Sequence, residues 1–269
     1  TVYFGGGTPS YLGVKRLTEL LKMVKKHYRL AKEPEITVEA NPDSACDWKA
    51  LRALRRAGVN RLSLGVQSTD DALLQAIGRV HTFAQVQEAV AAARRAKIKN
   101  LSLDLIYGLP GQTIEDLADD ILFYRDMDID MIGMGPYVVH HNTPLGKAVV
   151  AQGLDSAEGK RRRLELGLKM IAVTRLFLPD VNIASTTALQ ALHPMGRELG
   201  LKAGANVLMP IVTVPKFRSQ YLLYDNKPCV EDTPGQCKNC LAARVASVGD
   251  TVGLGQWGDS PHFFHKQKT

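Results

Sequence analysis

Short runs of β-branched and aromatic residues alternate along the chain with longer stretches in which apolar residues recur every three or four positions. The short runs predict β-strands, and the longer stretches predict amphipathic helices. One such helical stretch carries Leu17, Leu20, Leu21, Val24 and Tyr28. Strands and helices that alternate in this way are typical of a parallel sheet. The predicted strands are residues 2–6, 35–40, 61–66, 101–106, 131–136, 181–186 and 206–211.

This count is one strand short of the eight in the common (β/α) barrel. Because the first predicted strand starts at residue 2, the simplest place for the missing βα unit is before Thr1. We therefore predict an α/β fold, a TIM-type (β/α) barrel that lacks its first βα unit, in a chain that has lost what came first. A natural N-terminus is the alternative, and a doubly wound open sheet is the second architecture, although no glycine-rich dinucleotide fingerprint follows an early strand.

The pattern changes after about residue 225, where "DNKPCVEDTPGQCKNC" is rich in turn formers. A short helix-like stretch, "LAARVASVG", and the tail "GLGQWGDSPHFFHKQKT" follow it. We predict a C-terminal appendage that packs on the barrel and has a loosely ordered end.

Composition narrows the class of protein. The 269 residues are 45% hydrophobic, enough for one large barrel or two ordinary domains. The net charge of +7 falls mostly on helical stretches, which predicts solvated helix faces rather than a nucleic-acid-binding patch. There is no run of 18 apolar residues and no signal-like N-terminal segment, so we expect a cytoplasmic protein that binds neither membranes nor nucleic acid.

Polar residues follow most of the predicted strands. In a parallel barrel the loops after the strands face one common mouth, where the chemistry gathers. Carboxylates, amides and hydroxyls at such a mouth suit a polar, cationic or zwitterionic ligand, although each one alone is also typical of a helix cap or turn. The candidates are Gly5 to Thr8, Glu39, Asn41, Gln67, Ser68, Asp104, Tyr137, His140, His141, Ser185 to Thr187, Pro210 and Thr213.

The three glycines Gly5, Gly6 and Gly7 stand out among these candidates. Three glycines after a strand let a ligand approach bare main chain, and they exceed what a tight turn requires. We do not expect a phosphate-binding loop, because no Gly-Lys-Ser/Thr follows.

Five motifs occur in order within residues 1–112: "VYFGGGTPS", "EITVEANP", "AGVNRLSLGVQS", "AIGRVHT" and "LSLDLIYGLPGQT". Together they closely resemble the oxygen-independent coproporphyrinogen oxidase group of radical SAM enzymes, in particular its heme-chaperone-like branch. In that group the glycine stretch and the following threonine hold S-adenosylmethionine (SAM). The resemblance implies a SAM site made of Gly5, Gly6, Gly7, Thr8, Glu39, Gln67, Arg79 and Asp104. Only the resemblance nominates Arg79, which follows no predicted strand.

Residues 112–258 resemble a different branch of the superfamily. Motifs such as "MIGMGPYVVHHNTPL", "VNIASTTALQAL" and "GRELGLKAGANVLMPIVT" are similar to the HydE family, the radical SAM maturases of [FeFe]-hydrogenase. Gly65, Gln67 and Val86 stand where those maturases bind SAM through arginine and glutamate residues. The chain therefore looks like a hybrid with three parts: 1–112, 113–224 and the appendage 225–269.

The second resemblance also implies a substrate side. Thr186 and Thr187 resemble the maturase's substrate-side hydroxyls, with a helix N-cap as the alternative. Tyr137 and His140 are further candidates to face the substrate, although adjacent histidines such as His140 and His141 are also typical of a solvent-facing loop.

Radical SAM enzymes of this kind hold a [4Fe-4S] cluster through Cys-x3-Cys-x2-Cys after the first barrel strand, and this sequence has no such motif. Cys46 stands alone and reads as a packing residue. Cys229, Cys237 and Cys240 form a Cys-x7-Cys-x2-Cys arrangement that the maturase family uses for an accessory Fe-S cluster. A zinc site and unligated thiols are the alternatives.

We therefore predict a radical SAM protein, with a HydE-like maturase acting on a small precursor as the specific function. Its partners would be a small-molecule substrate, an electron donor and maturation proteins. Without the cluster motif, this chain is expected to be inactive in radical chemistry. The alternatives are a coproporphyrinogen oxidase-like enzyme, a non-catalytic heme- or SAM-binding protein, and a fragment or hybrid without selected activity.

Overall fold

The computed structural model describes residues 1–211, 213–218, 224–225, 227–229 and 234–268. Strands alternate with helices along the chain, as the hydrophobic pattern predicts. The strands are β1 Val2–Phe4, β2 Ile36–Ala40, β3 Arg61–Gln67, β4 Asn100–Tyr107, β5 Met131–Pro136 and β6 Asn182–Ile183. A short 3-10 helix, Pro9–Leu12, precedes the first α-helix. The helices are α1 Gly13–His27, α2 Pro42–Ala45, α3 Trp48–Ala57, α4 Asp71–Ala76, α5 Phe83–Arg95, α6 Ile114–Asp126, α7 Pro144–Ala151, α8 Ala157–Phe177, α9 Thr187–Leu192, α10 Gly196–Lys202, α11 Pro215–Arg218, α12 Pro234–Ser247 and α13 Pro261–Lys268.

These elements form two compact units. The first unit comprises Thr1–Leu105 and Ala118–Asp130, and the second comprises Ile106–Leu117 and Met131–Thr269. The division at residues 112 and 224 rests on the two family resemblances and stays a prediction. Residues 226, 230–233 and 269 of the predicted appendage lie outside the described residues.

The first unit contains a parallel sheet in which neighbouring strands follow one another in sequence. Val2 lies opposite Ile36, Val38 opposite Leu62, and Leu62 opposite Leu101. Strands β2 to β4 are buried along most of their length, which is typical of parallel strands covered by helices. The polar residues between their apolar positions, such as Thr37, Ser63 and Ser102, are buried as well.

Local capping fixes where the helices of this unit begin and end. The Asp47 side chain accepts the Lys49 N–H at the start of α3, and Gly58 ends that helix with a left-handed φ of 119°. At the start of α5, Thr82 and Gln85 form a reciprocal capping box. These caps satisfy backbone N–H groups at the start of each helix and so fix where it begins.

In the second unit β5 pairs with β6 in parallel, and Met131 lies opposite Asn182. The seventh predicted strand, residues 206–211, is wrong as a strand: it is reduced to one bridge between Ala184 and Val207. The Asn206 side chain accepts the Ile183 N–H at 2.9 Å, and so takes a donor that a longer ladder would use. Pro210, four residues beyond Asn206, has no N–H to extend the pairing.

The C-terminal segment also differs from its prediction. Helix α12 begins at Pro234, seven residues before the helix-like stretch, so that Cys237 and Cys240 lie on a helix rather than in a turn. The tail that was expected to be loosely ordered contains helix α13. The Asp180 carboxylate lies 3.2 Å from His262 Nδ1 and 3.1 Å from His265 Nδ1, and it ties α13 to the loop after α8.

Among the described residues, no helix combines the length and the apolar character that crossing a membrane would need.

Close packing between Tyr107 and α8 is a tight point in the core of the second unit. Tyr107 is fully buried, and its hydroxyl has no hydrogen-bond partner among the described residues. A Cβ at Gly167 would lie 2.1 Å from that hydroxyl. Glycine is therefore the residue that lets α8 approach the end of β4 here.

We expect Gly167→Ala to destabilise the protein by roughly 1–3 kcal/mol, because the added methyl group overpacks a buried site. The measurement is urea unfolding of the variant beside the wild type. Tyr107→Phe is the matched control, and its loss of an unpartnered buried hydroxyl should leave stability unchanged or raised. A Gly167→Ala variant as stable as the wild type would contradict this account of the packing.

Candidate functional site

The glycine stretch after β1 forms an open turn. Gly6 and Gly7 have left-handed φ values of 86° and 66°, which favour glycine. A Cβ at Gly7 would meet no described atom within 4 Å, so this stretch of main chain is uncovered. The Gly6 N–H points to the neighbouring strand and donates to Glu39 Oε2 at 3.0 Å.

The Glu39 carboxylate is held at both of its oxygens. Besides the bond from Gly6, Tyr3 donates its hydroxyl to Glu39 Oε1 at 2.6 Å. A Cβ at Gly5 would lie 2.5 Å from the Tyr3 ring and 3.0 Å from Glu39 Oε1, so only glycine leaves room for this pair. Burial, together with the hydrogen bond to Glu39, raises the pKa of Tyr3, which therefore stays a donor at neutral pH.

Two amides lie together at the ends of β2 and β3. Gln67 is buried, ends β3 with a positive φ of 75°, and follows a register shift that begins at Leu64. A Cβ at Gly65 would lie 3.0 Å from Gln67 Nε2 and 3.4 Å from Asn41 Oδ1. Left-handed backbone at a residue other than glycine is costly and clusters at functional sites. Asn41 in turn donates to the Thr8 hydroxyl at 3.4 Å.

Asp104 and Arg79 add opposite charges to the same unit. Burial, followed by the negative charge of Glu39, raises the pKa of Asp104 to about 7, while Arg79 opposes the shift. Burial lowers the pKa of Arg79, and the charges of Asp104 and Asp43 oppose that change. Neither side chain has a hydrogen-bond partner among the described residues. Both can therefore bind a ligand without first breaking a bond.

The structure places all eight predicted SAM-site residues in the first unit. Glu39, Asp104 and Arg79 interact through their charges, Asn41 donates to Thr8, and Gln67 and Asn41 both lie beside Gly65. The arrangement offers an oriented carboxylate, a second carboxyl group, a guanidinium and bare main chain. Such a set suits a zwitterionic ligand.

Sequence reasoning missed the role of Tyr3. Residues two apart in a strand point to the same face, so the Tyr3 side chain leans over position 5. An aromatic residue two positions before a glycine was the signal available. Arg79 escaped the strand-end argument because the turn at Gly78, with a φ of 73°, positions it after α4.

Among the residues predicted to face a substrate, the two threonines of the second unit make different contacts. The Thr187 hydroxyl lies 2.6 Å from that of Tyr224, which sequence reasoning had not singled out. Thr186 occupies the N-cap position of α9, but its side chain makes no cap bond. Its Oγ1 is buried without a described partner, and a Cβ at Gly135 would lie 3.2 Å from it. The N-cap alternative therefore does not explain the Thr186 side chain.

The other two candidates on this side lie elsewhere in the second unit. Tyr137 lines a cavity of about 320 Å³ together with Arg163, and burial raises its pKa. His140 Nδ1 accepts the Asn142 N–H at 3.2 Å, a bond within its own loop. His141 pairs with Asp225 and is exposed.

The predicted accessory cluster does not fit the described residues. No group of three histidine, cysteine, aspartate or glutamate side chains among them is placed to hold a metal ion. Cys237 is buried and accepts the Ile211 N–H at 3.4 Å, whereas Cys229 lies 3.5 Å from the Arg197 guanidinium. Cys240, on α12, completes the predicted set.

Cys46 behaves as a packing residue. It donates to the Pro42 carbonyl at 3.2 Å, and burial raises the pKa of its thiol to about 11. A thiol that stays protonated at neutral pH is a poor metal ligand.

Comparison with known families supports the class that this site suggests. Residues 1–124 match the family model of the Radical SAM superfamily. The predicted resemblance to this superfamily is confirmed. The fold class is confirmed with it, whereas the absence of a first βα unit stays a prediction.

Two curated relatives make the resemblance more specific. The [FeFe] hydrogenase maturase subunit HydE of Thermotoga maritima is 42% identical over 157 residues, which are 58% of this chain and 42% of that protein. The heme chaperone HemW of Lactococcus lactis is 38% identical over 143 residues, which are 53% of this chain and 38% of that protein. The matched part thus spans about two fifths of the length of these relatives.

Three solved structures have a similar fold. Coproporphyrinogen III oxidase from Escherichia coli aligns with a TM-score of 0.54 and 25% identity, over 64% of this chain and 40% of that one. Methylornithine synthase aligns with a TM-score of 0.63 and 21% identity, over 88% and 63%. HydG, a maturase of the [FeFe]-hydrogenase, gives a TM-score of 0.64 and 13% identity, over 90% and 51%. The last two show the fold alone.

The Asp104 carboxyl group gives the first unit a pH-dependent stability. Because its folded-state pKa of about 7 lies above the ordinary 3.8, the folded chain binds this proton more tightly than the unfolded chain. Its stabilising contribution is present at low pH and is lost as the pH rises through 7. We expect stability to fall more steeply between about pH 5 and about pH 8 in the wild type than in Asp104→Asn, measured by urea unfolding. The exposed Asp119→Asn should keep the wild-type slope, and equal slopes in all three proteins would overturn the assignment.

Proposed function

We propose that the first unit binds S-adenosylmethionine, and that the chain forms the barrel part of a radical SAM protein of the HydE type. The observation that carries the proposal is the Glu39 carboxylate, fixed at both oxygens beside the solvent-exposed glycines Gly5 to Gly7. The match of residues 1–124 to the Radical SAM superfamily supports the same assignment.

Each end of SAM has a chemical complement in this set of residues. Glu39 and the carbonyls of the glycine stretch would accept hydrogen bonds from the ammonium group. The Arg79 guanidinium would pair with the carboxylate, since guanidinium and carboxylate match in geometry. Gln67, Thr8 and Asp104 offer acceptors and donors for hydroxyl groups of the ligand.

The chemistry that SAM supplies when bound is a sulfonium whose reductive cleavage starts radical reactions. The residues of this chain bind and orient the molecule, and Asp104, whose pKa burial raises to about 7, can hold or release a proton near neutral pH. The thiols described here do not fit an iron-sulfur cluster, so no step of this proposal involves one. SAM binding is the property of this chain to be tested.

The choice of a maturase rests on the relative named HydE and on the hydroxyls of the second unit. Thr187 and Tyr224 share a hydrogen bond, and the buried Thr186 hydroxyl has none among the described residues. Such groups suit a small polar precursor as substrate. An electron donor, maturation partners and a cytoplasmic location belong to this proposal and stay predictions.

SAM affinity of the anaerobically handled chain, measured by isothermal titration calorimetry, tests the proposal. We expect Glu39→Gln to weaken binding about tenfold or more, because it removes a charge-assisted hydrogen bond. Glu33→Gln is the control, since Glu33 is exposed and is expected to leave affinity unchanged. A wild-type chain without SAM affinity would overturn the proposal.

The relative named HemW favours a second candidate, a heme-binding protein without turnover. Titration with heme separates the two candidates. A specific shift of the Soret band together with absent SAM binding would favour this second function.

Tyr3→Phe tests how Glu39 is oriented. The variant keeps the ring that fills the space above Gly5 and removes only the donor to Glu39 Oε1. We expect unchanged stability and a SAM affinity about three- to tenfold lower, since a charged acceptor loses one bond. Tyr28→Phe, at an exposed site outside this unit's polar cluster, is the control. Equal affinity of both variants would show that Gly6 alone suffices to position the carboxylate.

A further inference from the structure

The positive charge of the chain is concentrated in one place. Residues 13–32, which comprise α1 and the turn after it, carry seven lysine and arginine residues and one glutamate, a net charge of +6. The whole chain has a net charge of +7. The rest of the chain therefore has a net charge of only +1, and the segment 13–32, rather than α1 alone, accounts for nearly all of the excess positive charge.

All seven of these cationic side chains are exposed, and none forms an ion pair with a carboxylate in the described part of the chain. A second basic run behaves differently. On α8, Arg161 pairs with Glu158 and Glu165, and Arg163 pairs with Asp155. The four consecutive cations at residues 160–163 of α8 therefore each have a carboxylate partner, whereas the cations of α1 have none among the described residues.

The exposed face of α1 also carries large apolar side chains. Leu17 and Leu21 are buried where α1 packs on α3, whereas Leu20 is 40% exposed and Met23 57% exposed. Residues three and four apart share a helix face, so Leu20 and Met23 lie together, with Arg16 one turn before them. We call this area the α1 surface: Arg16, Leu20, Lys22, Met23, Lys26 and Arg29.

We propose that the α1 surface is a docking site for a protein with an acidic surface that carries apolar side chains. Two aliphatic side chains bordered by Arg16, Lys22 and Lys26, with Glu19 as the one acidic neighbour on α1, fit the interface pattern of an apolar centre with a polar rim. The unpaired charge would steer an acidic partner and speed its association.

Other polyanions match the surface less well. Tyr28 is the one exposed aromatic side chain of residues 13–32, whereas single-stranded nucleic acids stack successive bases on several aromatic faces. A membrane-bound helix turns its main apolar stripe to the lipid, and here that stripe is buried against α3. An acidic protein is therefore the occupant that charge and shape together favour.

The test measures binding of a fluorescent synthetic helical peptide that carries a leucine stripe flanked by glutamates. We expect binding at low salt that weakens about tenfold or more as salt rises from about 0.05 M to about 0.5 M. Lys22→Glu/Lys26→Glu should abolish it, and Leu20→Ser/Met23→Ser should weaken it at every salt concentration. Lys169→Glu/Lys202→Glu, the same charge change at exposed sites on α8 and α10, should bind as the wild type does.

Three outcomes overturn the proposal. The first is no binding of the peptide, and the second is an equal loss in the Lys169/Lys202 control. The third is tighter binding to duplex DNA or to phosphatidylglycerol vesicles that the Lys22/Lys26 variant also abolishes. SAM affinity measured on the same variants reports separately on the first unit, so that failure there does not affect this test.

Discussion

The candidate site depends on how one carboxylate is fixed between two neighbouring strands. Glu39 is held from β1 by the hydroxyl of Tyr3 and by the main chain of Gly6, and this works because β1 and β2 are in parallel register. The same carboxylate shifts the pKa of Tyr3 and of Asp104 upward. The position of this one side chain therefore depends on strand pairing and on the glycine at position 6, and its charge adds to the effect of burial on the pKa of Tyr3 and of Asp104.

The alternation of strands and helices could be predicted from the sequence, because the spacing of apolar residues differs between strands and helices and reflects which side chains are buried. The strand at residues 206–211 could not, since whether Asn206 uses its side chain or its main chain to pair is decided by neighbours distant in sequence. Helix α13 was missed for a similar reason: its contacts to Asp180 lie more than eighty residues away. The local sequence pattern predicts that a helix or strand forms better than it predicts where the element ends or which distant residues hold it in place.

The residues of the candidate site also differ in how far the sequence could predict them. Glu39, Gln67 and Asp104 follow from strand ends, because parallel topology brings those ends together. Arg79 needed the family resemblance, since a turn rather than a strand positions it. For the cysteines the local pattern was misleading. Their spacing predicted a metal site, but Cys237 and Cys240 lie on the helix that begins at Pro234, and the described thiols are not grouped to hold a metal ion.

The contact between position 3 and position 5 also limits which substitutions this segment can accept in evolution. An aromatic ring at Tyr3 occupies the space that any side chain at position 5 would need. Substitution at either position is then conditional on the other, so a change at Gly5 becomes accessible only after the ring has been lost. Relatives that keep an aromatic residue at the first position should keep glycine at the second, and the two positions should covary as a pair.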